Sequence, residues 1–270
     1  MAIITRNMVT ATAMAPNRSN IMEIALTDLH THILPGIDDG AKDLEASLEL
    51  LRRQKRNGVD RVALTPHFYP MSQDLDVFLD RRQNAYEALM SAWDPETMPQ
   101  LRLGAEVHYS ASIADMDLRS ISLAQSDYLL LELSNSKVPA HIEQVIKIMQ
   151  SQGITPILAH VERCVYFAED PAKLVRLIEL GALAQISAWA LHSKNSRKFA
   201  SICLRKSVAQ IVASDVHSAG EVENGLGALR KEMDETEIVR AESFARAVWD
   251  NTPIPVFHPE PIKRKLFGYA

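Results

Sequence analysis

Seven short apolar runs alternate with longer amphipathic ones along this chain, a pattern that lays β/α units around a parallel sheet. Strands are expected over residues 24–29, 61–65, 101–106, 128–133, 155–159, 183–187 and 210–214. Helices are expected over 44–57, 76–93, 140–152, 171–180 and 193–205, with another from 225 to 232 or beyond. Leu44, Leu48 and Leu51 recur at helical spacing, and Gly58 ends that helix. Asp170-Pro171 supplies an N-cap and a first-turn proline, while Gly153 and Gly181 stop two helices just before a strand. No linker, low-complexity run or repeat divides residues 23–270, so a single domain is expected there. Residues 1–22 lack the continuous apolar core of a secretory signal. They read as a disordered extension, or as sequence upstream of a start at Met22. Seven β/α units in about 240 residues imply an α/β fold, a (β/α)7 barrel somewhat smaller than the eight-unit form. An open doubly wound sheet is the alternative, disfavoured because no glycine-rich phosphate loop follows any strand.

The ends of these runs carry the chemistry. The first leads into His30 and His32, whose rings share one face because side chains in a strand alternate with period 2. A Gly/Pro turn bearing Asp38 and Asp39 follows. The second run ends at His67, the third at Glu106, the fourth at Glu132, the fifth at His160 and the seventh at Asp215 and His217. The C-terminal ends of barrel strands are where active sites form, and histidines scattered through a core would not track strand ends in this way. The candidate metal ligands are therefore His30, His32, Asp39, His67, Glu106, Glu132, His160, Asp215 and His217. One zinc ion takes about four ligands, so these donors imply two or three divalent ions sharing carboxylates. Imidazole and carboxylate without thiolate suit Mn, Fe or Zn. His108 could reach the rim of such a site and His192 could support it, whereas His141 and His258 read as surface residues.

A cluster of divalent ions lowers the pKa of bound water and clamps an anionic substrate, so hydrolysis of a phosphate ester is the first expectation. Arg163, three residues past His160, could grip two phosphate oxygens with its planar fork; the competing expectation is a salt bridge to Glu162 or Glu169. A cysteine-based phosphatase would need an arginine six positions after the nucleophile, but Asp170 follows Cys164 and Ala209 follows Cys203 at that spacing. No Asp-x-Asp nucleophile follows an N-terminal strand either, so the chemistry must be carried by metal. Net charge is −5 with a pI near 6.0, which gives no signal for nucleic acid. Two cysteines cannot build a disulfide framework and fit a reducing, cytoplasmic setting. No apolar run is long enough for a transmembrane segment, and Lys263-Arg264-Lys265 reads as a solvated end.

His30-Thr-His32 with Gly36-Ile-Asp38-Asp39-Gly40, Pro66-His67, Gly104-Ala-Glu106, Ala159-His160-Val-Glu-Arg163 and Ser214-Asp215-Val-His217 together resemble the PHP (polymerase and histidinol phosphatase) superfamily. Within it the sequence is most similar to the bacterial capsule and exopolysaccharide tyrosine phosphatase group, from about Thr27 to His217. The resemblance implies a distorted seven-stranded barrel and a trinuclear site, manganese or iron being the usual occupants. By matching position, His30, His32, Glu106 and Asp215 would hold the first ion. Glu106, Glu132 and His160 would hold the second, and Asp39, His67 and His217 the third. Arg163 and His67 would be the catalytic residues, Arg163 orienting the phosphate for a metal-bridging hydroxide. The implied partner is the phosphotyrosine tail of an autophosphorylating tyrosine kinase that controls polysaccharide polymerisation; self-association is left open. The group often carries an arginine just after the Asp-x-His motif, but here none precedes Arg230, and Lys42 and Arg197 are the candidate substitutes. Three alternatives remain: a phosphatase of small molecules such as histidinol phosphate, a TatD-like nuclease and a catalytically silent barrel. The nuclease is disfavoured by Asp39 and the Asp215–His217 pair, and the silent barrel by the full donor set.

Overall fold

The computed structural model describes residues 24–123, 126–265 and 268–269, so the expected extension at 1–22 lies outside the described residues. Strand β1 (Leu26–Asp28) leads through a long turn to α1 (Leu44–Arg56), then β2 (Val59–Leu64), β3 (His67–Phe68) and α2 (Leu75–Met90). Next come β4 (Gln100–Leu103), β5 (Glu106–His108), the short α3 (Leu118–Ile121), β6 (Tyr128–Glu132) and α4 (Ile142–Ser151). The chain continues through β7 (Thr155–Leu158), α5 (Val165–Glu169), α6 (Pro171–Glu179), β8 (Leu183–Ser187), α7 (Arg197–Arg205) and β9 (Ile211–Ala213). Two single-turn helices, α8 (Ala219–Val222) and α9 (Leu229–Glu232), precede α10 (Glu235–Trp249) and a small hairpin of β10 (Arg264–Lys265) and β11 (Gly268–Tyr269).

Apart from that hairpin, every strand pairing is parallel, as the alternation of strand and helix requires. The ladders form two sheets, β1-β2-β4 and β3-β5-β6-β7-β8-β9, rather than the one closed seven-stranded ladder expected. The reason is local. The second expected strand is cut by Thr65-Pro66, where proline has no N–H to give, and the third by Gly104-Ala105. At Gly104 a Cβ would come within 2.7 Å of the Leu123 side chain, so a larger residue there would have to displace it. The chain beyond β9 nevertheless returns to the chain beyond β1. Thr31 and Val216 form a parallel bridge, Asp215 N–H donates to His30 O at 2.9 Å, and His32 N–H donates to Val216 O at 2.9 Å. Asp28, fully buried, accepts from Ser214 N–H at 2.9 Å and from Gln54 Nε2 at 2.9 Å.

The two strand faces feed different cores, as period-2 alternation dictates. Leu129 and Leu131 of β6 belong to the large apolar layer shared with the helices. Leu130, Ile157, Leu183 and Ile211 point the other way, into a second cluster closed by Phe244, Val248 and Trp249 of α10. Helix α10 lies beyond the expected elements, although its Asp234–Glu237 capping box is legible in the sequence. The segment 225–232 forms a 3-10 turn (Leu226–Ala228) and α9 rather than one helix. The helix expected from 193 starts only at Arg197, because residues 194–196 make a turn.

Helix α10 is tied to β1 by Glu242, whose carboxylate accepts from Thr27 N–H at 2.8 Å and Thr27 Oγ1 at 2.7 Å. Burial pushes the Glu242 carboxyl up to about 7, against the two Thr27 hydrogen bonds. The folded chain thus keeps a proton that the unfolded chain releases above its ordinary value of 4.5, so stability falls as pH rises from 4.5 towards 7. The loss amounts to about 3 kcal/mol at 1.36 kcal/mol per unit. Glu242→Gln is expected to flatten most of this slope, read as Tm against pH by circular dichroism; an unchanged slope would refute the buried proton.

Candidate metal centre

Each candidate donor is aimed by the element that precedes it. His30 and His32 leave the end of β1 on one face and are fully buried, with Nε2 atoms 3.1 Å apart. His67 opens β3 immediately after Pro66, and Glu106 opens β5 beside it, so that His67 Nδ1 stands 2.8 Å from Glu106 Oε2. Glu132 closes β6, and His160 follows β7 with its Nε2 2.9 Å from Glu106 Oε1 and 3.8 Å from Glu132 Oε1. Asp215 follows β9, with Oδ1 3.3 Å from His30 Nε2 and 3.4 Å from His32 Nε2. His217 Nε2 and His67 Nε2 both stand 3.5 Å from Asp39 Oδ1. Contacts of 3.8 Å or less therefore connect all nine candidates. His160 and Asp215 adopt positive φ, 30° and 57°, a conformation that costs about 1–3 kcal/mol for residues with a side chain. Both positions lie where a strand must turn its last side chain into the cluster.

The turn after β1 is built around the same point. A Cβ on Gly40 would lie 1.9 Å from the carbonyl oxygen of His32, so only glycine lets the turn pack flat against that residue. Asp38 accepts from Gly40 N–H at 3.0 Å, from His67 N–H at 3.2 Å and from His32 Nδ1 at 2.8 Å. On the other side, Gln185 Oε1 accepts from His160 N–H at 2.8 Å and faces His30 Nδ1 at 3.2 Å. These acceptors favour a proton on Nδ1 of His30 and His32, which leaves their Nε2 atoms facing each other 3.1 Å apart as the positions for a cation. Asp38 and Gln185 were not among the candidate site residues. In the sequence Asp38 belongs to the turn after β1, and the signal for Gln185 is an amide in the middle of an otherwise apolar strand, Leu-Ala-Gln-Ile-Ser.

The electrostatics call for cations. Burial alone would raise the Glu106 carboxyl, but the imidazoles of His30 and His160 overcome it and hold Glu106 well below the carboxylate range. Burial would lower His30, yet the Glu106 and Asp215 charges raise it; His32 is raised further, by Asp215, Asp38 and Glu106. Asp215 is depressed in the same way, against its burial, by His30, His32 and Arg163. His67 Nδ1 and Glu106 Oε2 are buried and, though close, do not meet in hydrogen-bond geometry; His160 Nδ1 also lacks a partner. Orphaned buried acceptors of this kind cost about 1–3 kcal/mol each, and a shared divalent cation would satisfy them. The donor set therefore fits metal. Three groups have ligand atoms close enough to hold an ion: His32, Asp39, His67 and His217; His30, His32 and Glu106; and His67, Glu106 and Glu132. These groups share His32 and His67 in ways that the grouping implied by the family does not, and Asp215 joins the second only by its contacts to both imidazoles.

Arg163 pairs with Asp215 Oδ2, not with Glu162 or Glu169. His108 reaches the rim, its Nδ1 2.9 Å from Glu132 Oε2, whereas His192 lies against Glu232. Lys42 is exposed beside Asp43 and Arg197 is engaged by Glu232 at 2.9 Å. Neither stands in as a second phosphate clamp. Arg230 donates to the carbonyls of Asn57 and Ile24 instead.

Residues 26–240 match the family described as capsular polysaccharide synthesis, CpsB/CapC. The chain belongs to the CpsB/CapC family. It is 31% identical over 258 residues to the tyrosine-protein phosphatase YwqE of Bacillus subtilis, covering 90% of this chain and all of that one. It is 27% identical over 209 residues to the tyrosine-protein phosphatase CpsB of Streptococcus pneumoniae, covering 72% of this chain and 83% of the other. Among solved structures, one from the work on YwqE and CpsB, described there as unique metal-dependent tyrosine phosphatases, superposes with a TM-score of 0.76. That match spans 88% of this chain and the whole of the other at 27% identity, so this CpsB/CapC member shares its mixed α/β fold of parallel sheets. The family match runs past the end of the resemblance read from the sequence, into α10.

Asp38→Ala removes no candidate ligand but frees the His32 ring. It is expected to weaken metal binding by about 10- to 100-fold in chelator competition while the folded circular dichroism spectrum is kept. Unchanged affinity would show that Asp38 serves only the turn.

Proposed function

We propose that this chain is a metal-dependent protein-tyrosine phosphatase in which the nine clustered donors hold two or three divalent ions and Arg163 binds the substrate phosphate. The position of Arg163 carries this reading. Its guanidinium sits on Asp215 at the edge of the cluster and faces a cleft of about 330 Å³ lined also by Trp189, Ser214, His217 and Asn224. The names of the relatives point to the same activity. Bound divalent ions lower the pKa of coordinated water and clamp phosphate oxygens. The residues divide the remaining work. His30, His32, Glu106 and Asp215 would hold one ion, Glu106, Glu132 and His160 a second, and Asp39, His67 and His217 a third, a division supported by the His30–Asp215, His160–Glu132 and His217–Asp39 contacts. His67 stands between Asp39 and Glu106 and so links two of these positions at the reacting centre. Arg163 presents two N–H groups to phosphate oxygens and neutralises charge that builds on them.

The two parallel sheets work as a single distorted seven-stranded barrel from β1 to β9, within one domain, a reading supported by the Thr31–Val216 bridge and the bonds around it. Manganese is the favoured ion, iron or zinc being compatible with an imidazole and carboxylate set free of thiolate. The two free cysteines, both buried, fit a cytoplasmic enzyme. No helix among the described residues is long and apolar enough to cross a membrane. The description of the family as one of capsular polysaccharide synthesis supports a substrate in that process, the phosphotyrosine tail of an autophosphorylating kinase.

Initial rates on a phosphotyrosine peptide and on histidinol phosphate, both in manganese, test the activity. The peptide is expected to be hydrolysed and histidinol phosphate to be left; the reverse preference would move the enzyme to small-molecule phosphates. Arg163→Ala is expected to lower kcat/KM by about 100-fold or more, the scale of losing one charge-stabilising donor. Metal content measured by mass spectrometry should not change, and loss of metal in that variant would refute the phosphate role.

A further inference from the structure

The indole of Trp189 packs under the Arg163 guanidinium, yet it is left partly open to the cleft that both residues line. It sits on a 3-10 turn (Ala188–Leu191) directly after β8, at the strand end where the cluster lies. Ala188, Ala190 and Leu191 of that turn are buried, while Trp189 is left 37% exposed. The turn is thus anchored by Ala188, Ala190 and Leu191 and carries the indole to the cleft. The Arg163 guanidinium carbon is 5.5 Å from the centre of the indole ring, and both residues line the same cleft with Asp215 and His217. A phosphate held by Arg163 would place its ester group beside the indole. A flat aryl group there can stack at ring separations of about 4.5–7 Å, whereas an aliphatic alcohol offers no face to stack. Tyr69, also exposed, lies against His67 and His108.

We infer that Trp189 is the wall that recognises the aryl ring of the substrate, setting preference for aromatic over aliphatic phosphate esters. The inference rests on the assignment of Arg163 to the phosphate, and its test separates the two. Inhibition constants of phenylphosphonate and methylphosphonate are measured against hydrolysis of a phosphotyrosine peptide by the manganese-loaded full chain. Trp189→Ala is expected to weaken phenylphosphonate by about tenfold, the scale of one aromatic contact with its burial, and to leave methylphosphonate unchanged. Trp189→Phe is expected to restore most of the loss. Arg163→Ala should weaken both inhibitors alike. Equal weakening of both by Trp189→Ala would overturn the inference, because the indole would then act only by positioning Arg163; so would no change in either. If Arg163→Ala changes neither inhibitor while Trp189→Ala remains selective, the phosphate assignment fails and the aryl wall stands. Indole fluorescence gives a second readout independent of turnover. Phenylphosphonate should perturb the emission of the wild-type chain and not that of Trp189→Phe, and equal perturbation of both would also overturn the inference.

Discussion

Four imidazoles converge on one carboxylate. His30, His32, His67 and His160 each place a ring nitrogen within 3.5 Å of Glu106, which is 1% exposed. Without water to screen them, this charge and those lone pairs interact strongly, and the arrangement is stable only when a positive charge occupies the gap between them. Protons supply it in part, which is why His30 and His32 are raised while Glu106 and Asp215 are depressed. Divalent ions would supply it better, because two buried acceptor atoms, His67 Nδ1 and Glu106 Oε2, find no hydrogen bond at all.

The frame pays for this concentration of polar groups by committing several strand ends to it. His160 and Asp215 accept left-handed backbone, and Pro66 and Gly104 interrupt two strands just before His67 and Glu106. The turn around Gly40 closes on His32 so tightly that no Cβ fits. Asp38 and Gln185 fix the rings from behind, so the donor atoms are set before any ion arrives. Opposite the cluster, α10 closes the smaller apolar core with Phe244, Val248 and Trp249, and Glu242 ties it to β1. At the mouth, Arg163 and Trp189 face the cleft.

Much of this was legible from periodicity. The apolar runs found the strands to within a few residues, because buried parallel strands are continuous stretches of Val, Ile and Leu. The spacing of donors relative to strand ends brought the nine candidates forward, since the end of a strand fixes where its last side chain points. The two interrupted strands were not legible as such, because each break is a matter of two residues whose effect depends on the neighbouring ladder. Helix α10 escaped for a similar reason: its apolar residues serve a core supplied by distant strands, so its own pattern is weak evidence of where it packs.

The sequence by itself determined the class of fold and the residue types that can bind metal, because both follow from local pattern: hydrophobic period, glycine and proline punctuation, and histidine or carboxylate at strand ends. Only the tertiary structure decided which donors share a gap, which nitrogen of His30 and His32 faces the cluster, and that Arg163 answers Asp215 rather than its own neighbours in sequence. Those facts depend on residues far apart in the chain: Gln185 stands 155 positions from His30, and Asp215 52 from Arg163. Electrostatic partnership is set by distance in space and by burial, and neither is written along the chain.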